Sequence, residues 1–351
     1  MADATTTQVT KQSWWPLFWG LAALLICPYL PITDTLMPIQ QTVLLLIPVI
    51  AVCSIVGWVM GGRLAVAVIW FAFCVYALLQ PVDVISVPSV YESLRGGRSV
   101  APHGTQYDLM ARGWAVLMAA SFGLVSLWGK ATPFFSRALA AVGIAMAIAF
   151  VIALSFPSGI ARFEHTAGEE FTRRASVSIE RIQASMNDPQ SREVLDRVPL
   201  MEETDEVALE AMRQLPARAA TLLPALLALE SLAVLAFGWG VYKRLAPVDI
   251  GPPLAPLAEF RFNDQLIWGL AVGTTIWLLP AFEEGKNVGY NLLLFFGTLY
   301  LLRGIGILGW ISRGRYIFII ALWLMPPLIF VALALGLGDT WLDLRRRAKA
   351  G

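Results

Sequence analysis

The chain has 351 residues, of which 57% are hydrophobic and only 15% charged, with a mean hydropathy of +0.66. A water-soluble domain could not hide that much apolar surface, so the composition points to a chain solvated by lipid. Lys plus Arg number 26 against 25 Asp plus Glu, a net charge of +1 that offers no global field for nucleic acid or an acidic partner.

A bilayer core about 30 Å thick needs roughly 20 apolar residues of helix, because lipid offers no partner to free backbone N–H and C=O groups. The first apolar run, Trp14–Leu30, follows a short polar start carrying Lys11. It lacks a small-x-small cleavage site and is closed by Pro28 and Pro31, so it reads as an anchor rather than a signal peptide. Further runs follow at Thr42–Met60, Leu64–Leu79, Ala111–Trp128, Phe134–Leu154, Ala219–Val241, Leu266–Phe282, Tyr290–Ile311 and Ile317–Leu337. Cys27, Cys53 and Cys74 all lie inside such runs and read as packing residues. The expected fold is all-α, a polytopic transmembrane helix bundle of about eight or nine spans. Its expected divisions are an N-terminal membrane half over 1–157, a hydrophilic helical insert over 158–218, and a C-terminal membrane half over 219–351.

Orientation follows from the retention of Lys and Arg in short cytoplasmic loops. With the N-terminus in the cytoplasm, Lys11, Arg63, Lys130, Arg137, Lys243, Arg244, Arg261, Arg313 and Arg315 lie inside, against Arg95, Arg98, Arg112 and Lys286 outside. The expected location is the bacterial inner membrane. The tail residues Arg345, Arg346, Arg347 and Lys349 break the pattern if all runs span. Pro326 and Pro327 sit within the last run, and a re-entrant pair there would return the tail to the cytoplasm.

Ser158 to Arg218 holds eight Arg, twelve acidic residues and no Lys. Phe171, Ala175, Ile179, Ile182 and Met186 recur at helical spacing and predict one amphipathic helix. Val207, Leu209, Met212 and Leu215 predict a second, ended by Pro216, with a turn at Asn187-Asp188-Pro189 between them. An extracytoplasmic helical hairpin or cap is expected. The other long loop, Pro81–Met110, contains Arg95-Gly96-Gly97-Arg98 and His103-Gly104 without the spacing of a phosphate loop.

Ionisable residues at membrane depth are the best functional pointers, because burying them is costly unless they are paired or hydrated. Glu230 lies mid-span in the sixth run and Arg303 in the eighth. Counted from the run ends, they differ in depth by roughly 4 Å, which a long Arg can bridge. Such a pair would be either a proton or substrate relay or a structural ion pair. Asn287, Asn291 and Thr298 form a polar stripe about 140° from Arg303. Gly297, Gly304, Gly306 and Gly309, with Gly57-x-x-x-Gly61, suggest close helix packing. Asp339 follows Gly338 and is expected to cap a short interfacial helix running to Arg347. His165 with Glu164, Glu169 and Glu170 is at best a weak cation site, and a solvated charged helix explains it as well. No catalytic set, cofactor motif or metal-ligand spacing is visible, so the expectation is a protein that is not an enzyme and holds no metal or cofactor.

Several features resemble the YybS-like family of bacterial membrane proteins. They are Leu215-Pro216 to Leu223-Pro224, Tyr242-Lys243-Arg244, Pro256 to Phe262, Asn291, Leu299-Tyr300, Gly336 to Asp339, and the Asp343 to Arg347 tail. The resemblance covers the C-terminal two-fifths and implies a membrane protein without a settled activity. Some members look like substrate-binding subunits of energy-coupling-factor transporters, which would imply small-molecule binding or transport through the C-terminal helices. The chain lacks small-residue pairs placed for docking a coupling subunit, and its acidic insert is foreign to that picture. The alternative is a membrane scaffold or envelope assembly factor whose insert binds a protein partner.

Overall fold

The computed structural model describes residues 14–26, 31–80, 105–128, 132–187, 199–246, 248–312 and 327–343, and the account below concerns these. They form helices and short connections, with no strand among them. In chain order the helices are α1 (Trp15–Ile26), α2 (Pro31–Leu36), α3 (Ile39–Val59), α4 (Leu64–Leu79), α5 (Thr105–Trp128) and α6 (Phe134–Ser155). They continue as α7 (Gly159–Asn187), α8 (Pro199–Leu245), α9 (Ile267–Leu278), α10 (Lys286–Ile311) and α11 (Pro327–Leu342). The loop motifs at Arg95–Arg98 and His103, the turn at Asp188-Pro189, and the tail residues Arg345, Arg346, Arg347 and Lys349 lie outside the described residues. So does the run preceding Pro327.

Among the described residues, five helices are long and apolar enough to cross a membrane: Ile39–Val59, Gln106–Trp128, Phe134–Ser155, Leu209–Leu245 and Lys286–Ile311. Over their described residues, the 16-residue α4 and α11 reach about 24 Å and the 12-residue α1 about 18 Å, and α9, bounded on both sides by described residues, is shorter than the hydrocarbon thickness. The seventh apolar run is not one helix. Leu279 turns extended ahead of Pro280, which opens a 3-10 segment to Gly285, because a residue preceding proline is pushed out of the helical region.

α8 is the axle. It packs against α7, α3, α6 and α10, joining the N-terminal helices to the C-terminal group α9, α10 and α11. It runs unbroken for 47 residues through both Pro216 and Pro224, so Pro216 does not end the helix as its sequence suggests. A proline removes one backbone bond. The turns around it are held by burial of Met212, Ala219 and Leu223, the last two packed with Ala167 and Phe171 of α7. The core beside α8 centres on Trp239, in edge contact with Phe122 of α5 and tilted against Phe134 of α6. A second aromatic chain, Phe135–Phe260–Phe262–Tyr300, ties α6 through the 246–266 connection to α10.

The C-terminal pair crosses backbone to backbone. A Cβ on Gly304 would lie 1.7 Å from the Ala332 carbonyl, and one on Gly336 would lie 1.9 Å from the Tyr300 carbonyl. Only glycine fits either position. Gly57 and Gly61 have separate roles: Gly57 makes room for Tyr242, while Gly61, at φ +97°, turns the chain after α3.

Candidate functional site

Among the described residues, two clusters join buried acidic and basic side chains of different helices, and their placement follows from helix register. On α7, Glu170, Arg174 and Ser178 are spaced one turn apart and form a ridge beside the apolar face of Ala167, Phe171, Ala175 and Ile182. Packing that apolar face on α8 brings the ridge against α2, the start of α3 and the start of α5.

Arg174 is fully buried and donates Nε to Glu170 Oε1 at 2.8 Å, Nη2 to Gln41 Oε1 at 3.2 Å and Nη1 to the Thr35 carbonyl at 3.4 Å. Its guanidinium lies 4.9 Å from the centre of the Tyr107 ring. Gln41 also accepts from Tyr107 Oη at 3.3 Å and passes the contact on, donating Nε2 to Glu230 Oε2 at 2.9 Å. Thr42 Oγ1 meets the other carboxyl oxygen, Glu230 Oε1, at 2.9 Å. The amide orientation of Gln41 has a physical cause. Facing a guanidinium, which only donates, it must present its oxygen and so turn its NH2 toward Glu230. At the outer end, half-exposed Arg173 donates Nε and Nη2 to Glu170 at 3.0 and 2.8 Å. A continuous polar chain therefore runs from the surface of α7 through Glu170, Arg174 and Gln41 to Glu230.

The second cluster binds α10, α11 and the connection before α9. Arg303 donates Nε to buried Asp339 at 3.0 Å and Nη1 to Asp264 at 2.7 Å. Arg261 pairs with Asp343 and stands 4.0 Å from Asp339. Asp339 is thus an interior partner within α11, not the cap of a new helix, because Arg303 draws its carboxylate inward.

Glu230 and Arg303 do not meet. Asn291 fixes the register between α8 and α10: its Oδ1 accepts the Ala225 N–H at 2.9 Å and its Nδ2 donates to the Thr221 carbonyl at 2.8 Å. From that level Glu230 lies five residues along α8 and Arg303 twelve along α10, a gap of about 10 Å rather than 4. Asn291 itself repairs a fault. Pro224 disturbs the ladder of α8, and the amide side chain of Asn291 is inserted where the bond from Ala225 to Thr221 would close. Among the described residues Thr298 bonds only to the carbonyl of Leu294 in its own helix, at 2.7 Å, so the expected polar stripe resolves into separate local contacts. Glu169 and Glu170 likewise diverge, Glu169 standing 3.5 Å from His165 at the surface and Glu170 turning inward to Arg174.

Gln41, Thr42, Tyr107 and Arg174 were not singled out by the sequence. By composition Arg174 belongs to a hydrated insert, although the four-residue spacing from Glu170 through Arg174 to Ser178 is a signal of a shared helix face.

Apolar helices of spanning length around buried ion pairs, with large side chains such as Phe150, Val151 and Phe330 exposed on the outside, define a multi-pass helical membrane protein of the lipid bilayer. The chain belongs to the DUF2232 family, described as predicted membrane proteins, which it matches over residues 115–340. The match takes in Arg174, Glu230, Asn291, Arg303 and Asp339 but stops short of Gln41, Thr42 and Tyr107. No curated protein and no solved structure matches the chain.

Proposed function

We propose that the chain is a non-enzymatic membrane protein in which Glu230 takes up and releases a proton, and that this sets how firmly α7 is held on the bundle. The observation that carries the reading is the asymmetry of the two carboxyl oxygens. Oε2 faces an amide NH2 and can only accept, whereas Oε1 faces the Thr42 hydroxyl, which rotates to donate or to accept. The ionised carboxylate and the neutral acid therefore both fit without moving a heavy atom. When Glu230 is ionised, its charge attracts Arg174 across the aligned dipole of Gln41. When it is neutral that attraction ends, while Arg174 keeps Glu170 as a partner on its own helix. α7 then carries a self-neutralised pair and separates from the bundle at lower cost.

Two other readings lose their supports. The apolar face of the insert, which a docking partner would use, is covered by α8. Transport through the C-terminal helices would draw on Arg303 and Asn291, both committed to fixed partners. Arg63, Arg137, Lys243, Arg244 and Arg261 gather at the end opposite α7, which supports an inner-membrane orientation with α7 on the extracytoplasmic side.

The test is infrared difference spectroscopy on the reconstituted protein, with hydrogen exchange on the same samples. Acidification is expected to raise a protonated-carboxyl band that Glu230→Gln abolishes and Thr42→Val shifts. Amide exchange in α7 should rise with the band, and Glu230→Gln should exchange fast at every pH. A band absent at all pH values, or α7 exchange that ignores it, would overturn the proposal.

A further inference from the structure

We infer that the end of the bundle opposite α7 holds a binding site for a phosphate group, formed by Arg137 and Lys243 and covered by the Asp249–Gly251 turn. Arg137 stands in the first turn of α6 and is 1% exposed. Its guanidinium lies 4.5 Å from the centre of the Trp239 ring and makes one hydrogen bond, from Nη1 to the Ile250 carbonyl at 3.2 Å. Nε and Nη2 are buried with no hydrogen-bond partner among the described residues. A permanently charged, planar donor fork left with one neutral acceptor is poorly served, since buried cations are ordinarily paired. Bidentate oxygens are what that fork fits best.

Lys243, in the last turn of α8, reaches the same turn from another helix. Its Nζ contacts Asp249 Oδ1 at 2.6 Å and the Gly251 carbonyl. Asp249 Oδ1 also accepts the Gly251 N–H at 3.0 Å, so the turn is folded around its own carboxylate. That carboxylate is 76% exposed and hydrogen-bonds Lys243; it acts on Arg137 only through space, and the hydrogen bond Arg137 makes is to the carbonyl of Ile250. Gly251, at φ +138°, brings the main chain so close that a Cβ would lie 2.4 Å from Arg137 Nη2. The turn is thus a glycine-dependent cover lying directly on one cation and tied by an exchangeable carboxylate to the other. If the turn swings away, both cations face one opening. A phosphate has oxygens enough to bind the Arg fork and the Lys point charge together, which a single carboxylate does not.

Two sources carry this chemistry, an anionic lipid headgroup at the membrane surface and soluble phosphate. The test uses the full chain in phosphatidylcholine nanodiscs, with phosphatidylglycerol included in the discs or inorganic phosphate added to the buffer, and follows the thermal unfolding midpoint. The wild-type protein is expected to be stabilised by at least one of them. A response to phosphatidylglycerol alone supports the site with a lipid headgroup as its source, and a response to inorganic phosphate supports it with a soluble source. Arg137→Gln should lose the response. Asp249→Asn, a surface change that removes the competing carboxylate, should tighten apparent binding about tenfold. If Arg137→Gln does not fold, Asp249→Asn decides. No response in wild type, an equal response in Arg137→Gln, or unchanged affinity in Asp249→Asn would each overturn the site.

Discussion

The two charge clusters bury the same kinds of side chain in opposite ways. Around Arg303 the acids touch the cation directly, Asp339 at 3.0 Å and Asp264 at 2.7 Å, and a second pair between Arg261 and Asp343 closes the group. Around Glu230 the charges are held apart, with Gln41 standing between carboxylate and guanidinium and a rotatable hydroxyl on the remaining oxygen. Direct contact fixes one protonation state and one geometry. Contact through a neutral amide leaves the carboxyl free to change state while every donor keeps an acceptor. The first arrangement staples α10 to α11, where glycine already brings the backbones together, and the second joins a spanning helix to the amphipathic α7.

The contrast should break first at Asp339. Asp339→Asn removes the buried partner of a buried cation and is expected to cost about 3 kcal/mol, seen as a lowered thermal midpoint in detergent. Asp264→Asn should cost under about 1 kcal/mol, because Asp264 is 58% exposed and water replaces it. Replacing Arg303 by Met together with Asp339 by Leu should recover most of the loss, since no buried charge is then left unpaired and the exposed Asp264 is solvated. Equal effects of the two aspartate changes would show that Arg303 is hydrated and that the cluster is not a dry staple.

A smaller effect is expected at the joint between α8 and α10. Asn291→Leu leaves the Ala225 N–H and the Thr221 carbonyl without their inserted partner and should cost about 1–3 kcal/mol. Adding Pro224→Ala lets α8 close its own ladder, so the double change should be less destabilised than Asn291→Leu alone. Additive losses would mean that Asn291 packs against α8 without repairing it.

The sequence made the bundle legible and the sites only in part. Apolar run length located α3, α5, α6, the spanning part of α8 and α10, because the bilayer fixes how much helix must be apolar. It failed at Leu266–Phe282, where one proline splits the run, and at Pro216, where tertiary packing carries the helix past a breaker. Glu230, Arg303 and Asn291 stood out because polar groups at depth are rare. Their partners did not stand out. Gln41 and Thr42 are ordinary residues at a helix start, and Arg174 and Glu170 sit in a segment whose overall charge reads as solvated. Hydropathy averages along the chain, whereas pairing depends on the register between α7, α3 and α8. A local count has no access to that register, and for the same reason run ends give roughly 4 Å rather than about 10 Å for the difference in depth between Arg303 and Glu230.

The smallest effect expected is the one that separates the clusters most sharply. Glu230→Gln keeps the shape of the side chain and removes its charge. Its oxygen can occupy the place of Oε2, accepting from Gln41, and its NH2 can occupy the place of Oε1, donating to a Thr42 hydroxyl that has turned to accept. Every hydrogen bond survives, and Arg174 keeps Glu170 at 2.8 Å. The loss in thermal stability should therefore stay under about 1 kcal/mol, within the range of a changed hydrogen bond rather than a broken ion pair. Thr42→Val is the control: with Glu230 ionised it strands one carboxylate oxygen and should cost more, about 1–3 kcal/mol. In the background of Glu230→Gln, Thr42→Val strands an NH2 instead, so the penalty persists with its charge component removed and the two changes become non-additive. If Glu230→Gln proved as damaging as Asp339→Asn, the carboxylate would be a fixed counter-charge for Arg174. The rotating hydroxyl would then have no part in changing its state.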